Sequence, residues 1–253
     1  MISKRIISEI RALHLDKNRK EQQLFIAEGE KVVDELLNSG LKVKLIAGTE
    51  KYSDTHDSEN QVDERYLVSD EELLKISLLQ SPNKVLAVGE MPTPSAINFS
   101  GESGLLLALD GIKDPGNLGT LIRTADWFGV RHLFCSADCV DAYNPKVVQS
   151  AMGSLFRMQI HYGDLNMFIA EAKSSGGYKV IGAGADGIPY SDCDSSGNIM
   201  LVIGSESHGI GQSTLSLLDV KAGIPKNNNS KAESLNAGVA AAILMAHFQS
   251  GTK

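Results

Sequence analysis

Leu109-Asp-Gly-Ile-Lys-Asp-Pro-Gly-Asn-Leu-Gly-Thr-Leu-Ile-Arg-Thr-Ala-Asp-Trp-Phe-Gly129 is the stretch that decides the fold. It follows on the continuous apolar run Leu105 to Leu109, the pattern of a strand covered on both faces of a parallel sheet. Asp114-Pro115-Gly116 reads as a tight turn, because Pro presets φ and Gly permits positive φ. Asn117 then falls where a helix N-cap is expected. Leu118, Leu121, Ile122 and Ala125 recur at helical spacing, which leaves Arg123 and Asp126 on other faces of the helix. A strand, a turn and a helix with this much special backbone chemistry predict a site at the tip.

The same strand-helix alternation extends in both directions. Towards the N-terminus, residues 2–14 read as helix, Phe25-Ile-Ala-Glu-Gly-Glu-Lys-Val-Val-Asp-Glu-Leu-Leu as a short strand leading into a second helix, and Val43 to Ala47 as a strand. Residues 52–63 read as a polar loop or weak helix. Tyr66-Leu-Val, a helix capped at Ser69 or Asp70, and Val85 to Gly89 complete a small α/β sandwich over residues 1–90. Residues 91–103, rich in Pro, Ser and Gly, read as a linker. Residues 104–253 form a second α/β unit with a mainly parallel sheet. Its strands are expected near 105–109, 131–135, 178–183, 199–203 and 220–224, and its helices near 118–128, 144–152, 164–175 and 234–248.

Composition narrows the function classes. The net charge of −7 argues mildly against a nucleic-acid partner, since phosphate binding draws on basic surface. Charge is uneven, however: Lys4, Arg5, Arg11, Lys17, Arg19 and Lys20 crowd the first segment, followed by Lys31, Lys42 and Lys44. This is either a solvated helix face or a local basic surface. Met1-Ile-Ser-Lys-Arg breaks with charge at once, unlike a signal peptide, and the longest apolar stretch is too short to span a bilayer. Cys135, Cys139 and Cys193 make an odd set without framework spacing. A cytoplasmic, membrane-free protein is expected.

Four further motifs invite chemistry. Gly182-Ala-Gly184-Ala-Asp-Gly187 fits the dinucleotide pattern, but the helix that must open behind it is missing, so a glycine-rich strand end is preferred. His132, Cys135 and Cys139 match no zinc spacing and read as core. Ile199 to Gly204 is a strand that breaks into the glycine-studded loop Ser205-Glu206-Ser-His208-Gly209-Ile-Gly211. Ala222-Gly-Ile224-Pro225-Lys226 enters a polar loop, and Ser234-Leu235-Asn236 precedes a helix of small and apolar residues, apolar all round and so expected to be buried on all sides. Ser234 suits a cap. Asn236, expected to be a buried amide in the first turn, is left without an account.

Taken together, the three strand-loop elements resemble the three motifs of the SpoU/TrmH family of RNA 2′-O-ribose methyltransferases, in the SPOUT superfamily. The resemblance covers roughly residues 104–250. It rests on Asp114-Pro-Gly-Asn117, Gly119, Arg123-Thr-Ala and Phe128-Gly; on Gly204-x-Glu206-x-x-Gly209; and on Ile224-Pro225 to Ser234-Leu-Asn236. The third motif departs from the family in carrying Lys226 where Met is usual, and in a slightly longer loop. The N-terminal segment, with Phe25-Ile-Ala-Glu-Gly-Glu, resembles the small RNA substrate-binding domain of many members.

The resemblance implies a trefoil knot in the C-terminal domain, a homodimer, and S-adenosylmethionine as methyl donor, with no metal. It implies a cofactor pocket of Gly204, Ser205, Glu206, Ile224, Pro225, Ser234, Leu235 and Asn236. Arg123, Asn117, Glu206, Ser234 and Asn236 are the implied catalytic set. The implied substrate is ribosomal RNA; transfer RNA, or RNA binding without catalysis, are the alternatives.

Overall fold

The computed structural model describes residues 2–53, 62–101 and 104–250. Most of the expected polar loop at 52–63, and positions 102–103 of the expected linker, lie outside the described residues. In chain order the elements are α1 (Lys4–Ala12), α2 (Asp16–Gln22), β1 (Leu24–Glu28), α3 (Glu30–Asn38), β2 (Val43–Gly48), α4 (Glu50–Ser53), β3 (Val62–Leu67), α5 (Asp70–Ile76) and β4 (Val85–Glu90). Then come β5 (Leu105–Asp110), α6 (Pro115–Trp127), β6 (His132–Ser136), α7 (Pro145–Ala151), β7 (Gln159–Gly163) and α8 (Leu165–Gly176). β8 (Lys179–Pro189), β9 (Ile199–Gly204), α9 (Gln212–Leu215), β10 (Val220–Gly223) and α10 (Ala237–Ser250) complete the chain. Among the described residues no helix is long and apolar enough to cross a membrane.

The chain packs as two units. The first, Met1–Thr93 with Asp141–Arg157, is built on the sheet β1-β4-β2-β3, in which β2 and β3 run parallel and β4 runs antiparallel to β1 and β2. Ile6 and Ile10 of α1 and Leu73 and Ile76 of α5 close one core with Ile26, Leu45, Leu86 and Val88. α3 turns Val32, Val33 and Leu36 inward and packs on β1 and β4. A capping box starts α5: Ser69 Oγ accepts from Glu72 N, and the Glu72 carboxylate accepts from Ser69 N.

The segment 141–157 packs with this unit, whereas sequence order placed it in the second. Arg19 explains why. Its side chain is 1% exposed, and Nε and Nη2 donate to Asp141 Oδ2 at 2.9 and 2.7 Å. Nη1 donates to the carbonyls of Leu13 and His14, both at 3.0 Å. A buried guanidinium so fully satisfied is costly to break, about 3–5 kcal/mol. Phe25 adds aromatic contacts to Tyr143 and Phe156, with centroids 5.1 and 5.6 Å apart. α2, which carries Arg19, is polar throughout, so no apolar spacing marks it as a helix.

The second unit, Pro94–Val140 with Met158–Lys253, is a six-stranded sheet in the order β10-β8-β9-β5-β6-β7, with every paired strand parallel. The order reverses at β5, the arrangement that gathers loops at the carboxyl ends of the strands. On one face Phe134 stacks on Phe168 at 3.8 Å, within a core that includes Leu106, Ile169, Val180 and Met200. Phe99, from the expected linker, is buried in that same core against Phe168 and Tyr178, so this part of the segment is structural. Cys135, Cys139 and Cys193 are free and buried. The glycine-rich 182–187 stretch lies inside β8, so it forms no dinucleotide loop.

Candidate active site

Three chain segments meet beyond the ends of β5, β9 and β10. At the first, Gly111 takes φ +70° and starts the turn after β5. Gly111 N donates to Ser136 Oγ at 2.9 Å, and Ile112 N to Cys139 Sγ at 3.3 Å, so β6 and the turn behind it fix the loop. Hydrogen bonding from the Cys135 thiol, aided by Ser136 and these backbone N–H groups, draws the Cys139 thiol down to about 7. The helix N-cap is Asp114, whose Oδ1 accepts from Asn117 N at 2.8 Å. Asn117 is therefore the third residue of α6 and not its cap. The reason is Pro115, which fits the first helical position because its missing N–H is not needed there.

At the second, Gly204 ends β9 and a tight hairpin follows. Ser205 and Gly209 exchange both backbone hydrogen bonds, at 3.0 and 2.8 Å, and Gly209 takes φ +66°. Glu206 and His208 lie within that hairpin. Asp110, at the end of β5, accepts from Gly211 N at 2.9 Å and ties the hairpin's far side to the first segment.

At the third, residues 224–236 run without helix or strand to α10. α10 begins at Ala237, and the cap is Asn236 in place of the expected Ser234. Asn236 Oδ1 accepts from Gly238 N at 2.9 Å and from Val239 N at 3.3 Å. With its oxygen committed to these backbone donors, its nitrogen must donate outward. It does so twice at 2.8 Å, to Asn117 Oδ1 and to Glu206 Oε1. One amide thus joins all three segments, which is the account that the sequence left open. The group is exposed, against the expectation of a buried amide. α10 itself is two-faced: Ala241, Leu244, Met245 and Phe248 are buried, while Val239 is 48% exposed and Ala246 exposed.

The Asn236 junction gives a direct prediction. Asn236→Asp keeps the capping oxygen but loses both donors and sets a carboxylate against Glu206. Loss of a hydrogen bond to a charged group, about 1.5–3 kcal/mol, predicts a ten- to hundredfold fall in activity with the fold retained. Two facing carboxylates raise the pKa of one, so acid restores a donor. The deficit relative to wild type should shrink as pH falls; a deficit that stays constant across the pH–rate profile contradicts the junction.

Next to the junction is a cavity of about 510 Å³. Gly204, Ser205, Glu206, Ile224, Pro225, Ser234 and Leu235 line it. Asn236 does not; it stands beside the cavity as the junction. Arg123 is not part of the lining either. It is exposed on α6, and among the described residues it has no hydrogen-bond or ion-pair partner. Lys226 belongs to the wall and is exposed.

Ala183, Gly184 and Ala185 of β8, in the stretch read as a glycine-rich strand end, also line the cavity. Their signal was the glycine run. A Cβ on Gly187 would fall 2.5 Å from Lys221 O and 2.7 Å from Gly223 N, so glycine is what lets β10 pass this close to β8. The walls suit an adenosine-sized ligand bearing a sulfonium. Ile203, Ile224, Pro225, Leu235 and Leu244 give apolar surface, Ser205 and Ser234 give hydroxyls, and Glu206 and Glu233 are the lining carboxylates.

Comparison with known proteins identifies the family. Residues 104–246 match the model of the SpoU rRNA Methylase family, and residues 4–87 that of the MRM3-like substrate binding domain. The chain is 32% identical over 244 residues to the 23S rRNA (guanosine(2553)-2′-O)-methyltransferase RlmP of Bacillus subtilis, covering 96% of this chain and 95% of that protein. Among solved structures, a TrmH-family protein from Porphyromonas gingivalis superposes with a TM-score of 0.87 at 32% identity, covering 98% of each chain. An AdoMet-bound rRNA methyltransferase from Sinorhizobium meliloti superposes at 0.83 with 27% identity, covering 99% of this chain and 96% of that one. By sequence and by fold, the chain belongs to the SpoU rRNA methylase family.

Proposed function

We propose that this protein transfers a methyl group from S-adenosylmethionine to a ribose 2′-hydroxyl of ribosomal RNA. The observation that carries this reading is the Asn236 amide, bonded at once to Asn117 and Glu206 on the rim of a ligand-sized cavity. The cavity residues Gly204, Ser205, Ile224, Pro225, Ser234 and Leu235 would hold the cofactor, which supplies an electrophilic methyl group. The rest of the chemistry is positioning. A ribose hydroxyl is a weak nucleophile, so the gain comes from fixing its oxygen in line with the methyl carbon. Asn117 commits its carbonyl to Asn236, which leaves its amide hydrogens to orient substrate. Glu206 holds the second loop through its bond to Asn236. Arg123 serves as a two-pronged clamp for the phosphate beside the target ribose, its planar fork matching two phosphate oxygens. The hydroxyl proton leaves to solvent at this open site.

The relatives support ribosomal RNA as the substrate, and the N-terminal unit as the part that binds it. The apolar stripe Val239, Ala242, Ile243 and Ala246 on α10, exposed at Val239 and Ala246 and half-buried at Ala242 and Ile243, suits a second copy of the chain, and we take the working form to be a cytoplasmic homodimer. The test is transfer of labelled methyl from S-adenosylmethionine to ribosomal RNA of a strain lacking this gene. Recovery of 2′-O-methylnucleoside after digestion supports the reading. Label on a base, or label on transfer RNA alone, replaces it.

A further inference from the structure

We infer that Trp127 is a stacking platform for an unpaired base of the RNA substrate, set beside the phosphate that Arg123 clamps. This rests on the methyltransferase reading above. Trp127 is 84% exposed and is the one tryptophan of the chain. An indole carries the largest apolar area of any side chain, and leaving it in water forgoes the gain that burial would bring. A fully presented Trp on a rigid helix therefore calls for a partner.

Its setting identifies the partner. Thr120, Arg123 and Trp127 follow one another on α6 at spacings of three and four, so they form one stripe, and all three are exposed. Arg123 and Trp127 are separated by about 6 Å of helix rise. Asp126 lies about 100° round the helix from Trp127, outside the stripe. The opposite face, Leu118, Leu121, Ile122 and Ala125, is wholly buried and holds the helix still. The stripe also starts one turn from Asn117, which belongs to the Asn236 junction.

A cation with no protein partner among the described residues, next to an exposed aromatic ring, is the combination that single-stranded RNA takes. The guanidinium meets a phosphate, and the ring face meets a base of any identity. A second copy of this chain is a poorer occupant, because docking there would bury the Arg123 charge, which has no partner among the described residues. The α10 stripe of Val239, Ala242, Ile243 and Ala246 is apolar throughout and suits that partner better.

With a single tryptophan, intrinsic fluorescence reports on this residue alone. The free protein should emit as a water-exposed indole that acrylamide quenches freely. Adding ribosomal RNA from a strain lacking the gene should quench the emission and protect it from acrylamide. Trp127→Ala should raise KM for that RNA roughly tenfold or more, the loss typical of one stacked base, with unchanged affinity for S-adenosylmethionine. Trp127→Phe should recover most of it. Blue-shifted, acrylamide-protected emission in the free protein would mean that a second copy covers the ring, and would overturn the inference. Wild-type KM in Trp127→Ala overturns it as well. Wild-type methyl transfer in the same assay separates the two readings: transfer with a silent Trp127 removes the platform alone, whereas no transfer removes both.

Discussion

Gly204→Ala is expected to weaken binding of S-adenosylmethionine and to lower the melting temperature. A Cβ at this position would lie 2.1 Å from the carbonyl carbon of Gly209, and 2.3 Å from both Gly209 O and Ile210 N. These are backbone atoms, so no side chain can swing aside. The hairpin that closes through Ser205 and Gly209 must open, and with it go Ser205 and Glu206 on the cavity wall. Overpacking of a tight site costs about 1–3 kcal/mol and sometimes more. Part of that will appear as lost stability and the rest as lost ligand affinity. Calorimetric titration with S-adenosylmethionine and a thermal melt measure the two. A variant with wild-type affinity would mean that the hairpin is not part of the cofactor site.

Arg123→Lys should lower turnover about a hundredfold while leaving cofactor affinity intact, the size expected when a reacting group is misplaced by about 1 Å. Lysine keeps the charge and loses the planar fork, so it can attract a phosphate but cannot orient it. The exposed position of Arg123 away from the cavity wall gives the second half of the prediction. Equal losses in turnover and in cofactor affinity would contradict a clamp and move Arg123 into the cofactor site. Single-turnover methyl transfer with saturating RNA distinguishes the cases.

The parts of this molecule legible in sequence are those with local causes. The β5-turn-α6 unit was readable because Pro115, Gly116 and the apolar spacing of α6 act within a few residues of one another. The capping positions were less so. Asp114 and Asn117 are both good caps, and only the proline at the first helical position settles the choice. Ser234 and Asn236 pose the same ambiguity, and a contact 119 residues away, to Asn117, decides how the amide is used. The strand β7 escaped notice because Gln159-Ile-His-Tyr-Gly is short and half polar, as an edge strand can be. Residues 141–157 join the first unit through Arg19 and Asp141, a pairing across 122 residues that no periodicity announces. Ala183 to Ala185 were hidden for a different reason: their glycines serve the close passage of β10, and the ligand wall is a by-product of that passage.

The three segments owe their site to the convergence of Asn117, Glu206 and Asn236 beside one cavity. Electron density for S-adenosylmethionine soaked into or crystallised with the protein tests this most directly. The account predicts the adenosine between Ile224 and Leu235, with the methyl group turned towards the Asn236 junction. A donor bound elsewhere, or a methyl group facing away from Asn117 and Asn236, would contradict it.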